Sequence, residues 1–146
     1  MLNNQLTKIA YSYWFLGLAQ VVHSMEETYT QLYLKLDSMI EALNNIFHWF
    51  PQLTISADLF AVLNYLMICL ILGSVPTAEK GTKIGFIFMW SWAIIELLNG
   101  AFHIGTWVVL RHYFPGGISG PILFVMSLLF IQQLRGSSSQ TTEAIQ

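Results

Sequence analysis

Residues 84–110 read IGFIFMWSWAIIELLNGAFHIGTWVVL, twenty-seven positions that hold no Lys or Arg and a single acid, Glu96. A helix needs ~20 residues to cross ~30 Å of hydrocarbon, so this stretch predicts a membrane-spanning helix. It is not uniformly apolar. Glu96, Asn99 and His103 are spaced three and four apart, which places them within about a 60° arc of the helix surface. Trp92 and Trp107 extend the stripe on either side. A polar line on an oily rod asks for a partner that carries a matching one.

Three further apolar segments run over residues 9–34, 53–75 and 118–134. The breaks between segments carry turn chemistry: HWFPQLT with Pro51, SVPTAEKGTK, and RHYFPGGISG with Pro115, Gly116 and Gly117. Pro121 falls in the first turn of the last segment, where a missing N–H is tolerated. Between the first and second spans, KLDSMIEALNNIFHWFPQ repeats Met39, Ile40, Leu43, Ile46 and Phe47 at helical spacing among polar residues. That pattern predicts a short helix at the membrane interface, with His48 and Trp49 at headgroup level. The expected fold is all-α: a four-helix transmembrane bundle plus this interfacial helix, one domain over residues 1–135, followed by a disordered tail at 136–146. Lys8, Lys80, Lys83 and Arg135 fall on one side and Lys35 and Arg111 on the other, which favours cytoplasmic termini in a multi-pass protein.

Composition supports a membrane class. Of 146 residues, 55% are hydrophobic and 10% charged, against about 25% charged in soluble domains. A net charge of −2 without a basic run leaves no footprint for nucleic acid. The lone Cys69 has no thiol to pair with and reads as a small buried hydrophobe. No small-x-small cleavage site follows the first apolar segment, so it reads as an uncleaved span.

The matching line lies in VVHSMEETYTQLYL, residues 21–34. His23, Glu26 and Glu27 occupy about a 100° arc of a helix, with Gln20 and Thr30 on the same side. Counted from Lys8, these groups lie ~22–28 Å along the first span; counted from Lys83, Glu96 to His103 lie ~20–30 Å along the third. The first and third spans run in the same direction, so five ionisable groups and an amide share one depth, with Asn64 of the second span close to it. An ionised carboxylate near the bilayer centre costs several kcal/mol. Such groups share a proton, pair with imidazolium, bind a metal or line a wet cavity. Inward Glu and His at helical spacing resemble the donors of Zn, Mn or Fe centres in helical bundles. His23, Glu26, Glu27, Glu96 and His103 are therefore candidate metal ligands. In the metal-free version Glu26, Glu27 and Glu96 divide the roles of acid and base, and Asn99 orients them or holds a substrate oxygen. H-x-x-E-E lacks the i, i+4 histidine pair of H-E-x-x-H, so a zincin mechanism does not transfer.

At HSMEE the sequence resembles the family named for its HXXEE motif, small integral membrane proteins of unknown function. The likeness continues through NGAFH, with Asn99 and His103, and through YFPGGISG. It implies His23, Glu26, Glu27, Asn99 and His103 as the active cluster, with Pro115 and Gly116 shaping the next turn. Where that family often carries Thr shortly after the Pro-Gly pair, this chain has Ser119. A looser likeness links WFLGLAQVVHSMEETYTQLY to the sterol-isomerase-type EXPERA families, whose His-x-x-x-Glu spacing His23 and Glu27 reproduce; the placing of Glu96, Asn99 and His103 on one span departs from that pattern.

These readings favour an enzyme that acts within the membrane on a small apolar or lipid-like substrate, either with a divalent transition metal or by Glu/His acid/base chemistry. Transport of protons or a divalent cation is the second class; with no inverted repeat visible, a homo-oligomer would have to supply the pathway. The third is an assembly protein whose polar residues join helices.

Overall fold

The computed structural model describes residues 2–49 and 51–143. They form five α-helices and no strand: α1 (Leu2–Tyr29), α2 (Leu32–Ile46), α3 (Ala57–Glu79), α4 (Lys83–Leu110) and α5 (Ser119–Glu143). Local chemistry sets several of the ends. Ser56 accepts the Leu59 N–H at 3.1 Å to cap α3, and Thr82 accepts the Gly85 N–H at 3.0 Å to cap α4. Gln31, in the left-handed region at φ 59°, ends α1 and starts α2. The first apolar segment is thus split at Gln31 rather than continuous to residue 34. α2 begins earlier than its amphipathic pattern alone indicates.

Contacts along the chain fix the topology. Ser24 meets Asn64 and Tyr13 meets Ser74, so α1 and α3 run antiparallel. Gly100 lies against Gly120 and Phe124, so α4 and α5 do too. A Cβ at Gly100 would stand 2.7 Å from the Gly120 carbonyl oxygen, and its absence lets the two helices close at that level. α1 packs between α3 and α5, and so does α4, leaving α1 and α4 parallel on the bundle diagonal. α2 closes one end: Leu32 packs with Phe60 and Phe114, flanked by Leu36, Met39 and Ile55. Asp37 holds this end together by accepting the Ile55 N–H at 2.8 Å.

The interior changes character along its length. In the half away from α2 it is apolar, built on Ile9, Tyr13, Leu16, Ile71, Met89, Trp92, Phe130 and Leu134. Tyr13 stacks on Phe130 with ring centroids 5.6 Å apart, and its hydroxyl donates to Ser74, whose own proton goes to the Ile71 carbonyl. Nearer α2 the buried residues are Gln20, His23, Ser24, Glu27, Asn64, Glu96, His103 and Ser119. Meanwhile Val22, Met25, Val62, Leu66, Ile87, Leu98, Val108, Ile122 and Leu129 are exposed. Cys69 is also exposed, on the outer surface of α3 rather than in the core.

Among the described residues, α3 and α4 are long and apolar enough to cross a membrane; α1 and α5 do not meet that standard. The difference from four spans has a physical origin. α1 carries Gln20, His23, Ser24, Glu26 and Glu27, and the apolar run of α5 gives way to Gln132, Gln133 and Arg135, so neither helix offers a stretch of spanning length that is apolar throughout. α5 also continues to Glu143. That extent takes α5 through residues 136–143 of the segment expected to be a disordered tail. Residues 144–146 of that segment lie outside the described residues.

Candidate functional site

His23 and Glu27 are one turn apart on α1 and face the interior. From the diagonal helix α4, His103 reaches the same point. One carboxylate oxygen, Glu27 Oε1, lies 3.0 Å from His103 Nε2 and 3.2 Å from His23 Nε2. The imidazoles meet edge to face, with centroids 4.6 Å apart and planes at 82°. His23 is 0%, His103 1% and Glu27 6% exposed. Their donor atoms lie within 4.8 Å of one another, forming a group able to hold a metal ion.

The donor set fits a transition metal. Bonds of ~2.1 Å to nitrogen and oxygen in a tetrahedral arrangement put ligand atoms roughly 3.4 Å apart, close to the separations seen here. His23 Nε2 is buried and, despite its closeness to Glu27, has no well-directed hydrogen bond. His103 Nδ1 is also without a partner. Two imidazoles and one carboxylate leave further coordination positions open, as catalytic sites do.

Glu26, expected beside Glu27, does something else. A step of ~100° around the helix aims it at α5. Its Oε1 accepts from the Tyr113 hydroxyl at 2.7 Å and the Ile118 N–H at 3.1 Å, and its Oε2 accepts from the Ser119 N–H at 2.7 Å and from the Ser119 hydroxyl. A carboxylate here satisfies free N–H groups at a helix start and favours the positive end of its dipole. Partial burial and the bond to Glu26 hold the Tyr113 phenol above its ordinary pKa, so it stays a donor.

Ser119 Oγ also lies 2.7 Å from His23 Nδ1. Gly116, at φ 81°, presses on both rings from the α4–α5 turn: a Cβ there would stand 2.4 Å from His103 Cε1, 2.5 Å from His103 Nδ1 and 2.9 Å from His23 Cε1. The sequence flags Gly116 as a turn residue but not as the wall of the site. Ser119 stands where the resembled family often carries Thr, while the role of Tyr113 carries no sequence signal beyond its place beside the turn.

Glu96 is fully buried and outside the cluster of three ligand atoms, though near enough to His23 and Glu27 to feel their charges. It lies seven residues before His103, about 10 Å along α4. Neither of its carboxylate oxygens has a well-directed partner, although Asn99 is close. Asn99 instead lines a cavity of ≈ 290 Å³ together with Glu27, His103, Gln20 and Asn64; the remaining walls are apolar, among them Leu36, Phe60 and Ile95. Gln20, Ser24 and Asn64 form a chain, Gln20 Nε2 donating to Ser24 Oγ at 3.0 Å and Ser24 donating to Asn64 Oδ1 at 2.6 Å. Gln20 therefore takes part, through Ser24, in a link between α1 and α3. Phe102 and Phe114 pack against His103, at 5.2 and 5.9 Å between centroids.

A family model described as a protein of unknown function with HXXEE motif matches residues 14–131. The chain belongs to this HXXEE family. The match spans the motif on α1, the Asn99 and His103 pair on α4 and the Pro-Gly turn before α5. In HXXEE terms, the first and last motif residues, His23 and Glu27, join His103, while the middle one, Glu26, engages α5. No curated protein and no solved structure matches the chain. The likeness to sterol-isomerase-type proteins rests on the His23 and Glu27 spacing alone.

Proposed function

We propose that the chain is a membrane enzyme in which His23, Glu27 and His103 hold a divalent transition metal, Zn, Mn or Fe, and act on a small apolar or lipid-like substrate. The observation that carries this reading is the sharing of one buried carboxylate oxygen by two imidazole nitrogens. Nothing apolar could fill that point, and a cation there would satisfy all three groups. A bound metal would supply a Lewis acid able to polarise a substrate oxygen or lower the pKa of water.

The ≈ 290 Å³ cavity supports the substrate class, because Glu27 and His103 open onto it and its other walls are mostly apolar. A larger groove of ≈ 740 Å³ between α2 and the end of α4, lined by Met39, Phe102, Val109 and Leu110, adjoins it at Phe102. The membrane setting is supported by a polar interior beneath an apolar exterior on α1, α3, α4 and α5, which we read as four spans with both termini cytoplasmic. α2 then lies at the far interface. Glu96 favours one alternative: a buried carboxylate with unpaired oxygens suits proton transport or metal-free acid/base chemistry.

Metal analysis of the folded, detergent-purified chain, loaded anaerobically with Zn2+, Mn2+ or Fe2+, separates these readings. Stoichiometric metal that Glu27→Gln and His103→Ala remove, and that Glu41→Gln on α2 leaves in place, is the expected outcome. A folded wild type that retains none of the three ions would overturn the metal reading in favour of Glu96 chemistry.

A further inference from the structure

We infer that Ser119 and Glu26 form a positioning relay that fixes the tautomer of His23 and thereby presents its Nε2 lone pair to the centre of the site. This deepens the metal reading above, on which its purpose rests. The geometry stands independently of it.

Glu26 meets four donors on two oxygens: the Tyr113 hydroxyl, the Ile118 N–H, the Ser119 N–H and the Ser119 hydroxyl. Such a carboxylate is ionised and acts only as an acceptor, because a proton on either oxygen would face another donor. Ser119 has one hydroxyl proton, and it is committed to Glu26. At 2.7 Å from His23 Nδ1, Ser119 Oγ can then only accept, so Nδ1 carries the hydrogen. In a neutral imidazole the other nitrogen is bare. That nitrogen, Nε2, points into the site 3.2 Å from Glu27 Oε1 without a well-directed hydrogen bond. Two lone pairs at that separation are eased by a cation between them, or by the N–H that His103 Nε2 can donate to the same oxygen at 3.0 Å.

His103 provides the contrast. Its Nδ1 has no partner, so no outer group dictates its tautomer. The motif residues therefore have three distinct jobs: His23 and Glu27 face the centre, and Glu26 acts one bond removed, through Ser119. Groups that hold the outer nitrogen of a ligating histidine commonly change metal affinity 10–100-fold when removed.

The test reads the tautomer directly, by long-range 1H–15N correlation on the chelator-treated full chain labelled in histidine. The expected wild-type result is His23 protonated on Nδ1 and bare on Nε2. Ser119→Thr, which keeps the hydroxyl, should preserve that pattern. Ser119→Ala should lose it and weaken Zn2+ binding on the order of 10–100-fold. The backbone donors to Glu26 remain in Ser119→Ala, so α5 keeps its anchor. Tyr113→Phe removes a donor from Glu26 without touching Ser119 and should leave the tautomer as in the wild type. Finding the His23 proton on Nε2, or an unchanged tautomer in Ser119→Ala, would overturn the relay. Because the tautomer is read without metal, a wild type that shows the expected pattern but binds none of Zn2+, Mn2+ and Fe2+ would sink the metal reading alone.

Discussion

Gly116→Ala should disable the site while leaving the helices in place, and the size of the effect can be worked from the turn. The new Cβ would lie 2.4 Å from His103 Cε1, whereas ordinary contact begins near 3.4 Å. The ring must retreat by the difference, 3.4 minus 2.4, or about 1 Å, since φ 81° gives the turn little freedom to move instead. A 1 Å retreat takes His103 Nε2 from 3.0 Å to roughly 4 Å from Glu27 Oε1, beyond hydrogen-bond reach and well outside the ±0.2 Å tolerance of a metal ligand. Left-handed alanine costs about 1–2 kcal/mol and overpacking about 1–3 kcal/mol. The combined loss is roughly 2–5 kcal/mol, with metal binding falling at least as far as for an outer-group mutation. Thermal unfolding and competitive Zn2+ titration of the purified chain check both parts. Gly105→Ala and Gly73→Ala are the controls, because a Cβ at either meets nothing within 4 Å; both should be neutral or stabilise by up to about 1 kcal/mol. A Gly116→Ala protein with wild-type Zn2+ affinity and stability would refute the packing argument.

Other expectations separate site from scaffold. Gly100→Leu must push α4 from α5, because even a Cβ would stand 2.7 Å from the Gly120 carbonyl oxygen; a loss of about 1–3 kcal/mol or more in unfolding experiments is expected. Tyr13→Phe removes the donor to Ser74 in the apolar half and should cost about 0.5–1.5 kcal/mol with unchanged metal content. Ser56→Ala strips the cap of α3, for about 1 kcal/mol by the same assay. His112→Ala should leave metal content untouched, since His112 is exposed and its Nδ1 donates to the Leu110 carbonyl.

The triad was legible because it depends on two quantities a sequence carries: angular spacing around a helix and rise along it. His23 and Glu27 are four apart, and equal depth from Lys8 and Lys83 brings His103 level with them. Glu26 was misplaced because its partners, Ile118 and Ser119, are more than ninety positions away. No periodicity within α1 reveals which neighbouring helix an adjacent residue faces. Glu96 shares the stripe of His103, but two turns of rise keep it out of reach. The break at Gln31 was hidden because neither Gly nor Pro marks it. α1 likewise shows how burying polar residues inward makes composition a poor guide to a helix's outer face.

The 96 positions between His23 and Ser119 order events during synthesis. When the motif leaves the ribosome, the turn that walls it and the serine that orients its imidazole have not yet been made. A nascent chain ending before Gly116 would hold His23, Glu27 and His103 without the scaffold that aims them. Arrival of the final helix is then the step that completes the packing and hydrogen bonding around the three clustered side chains.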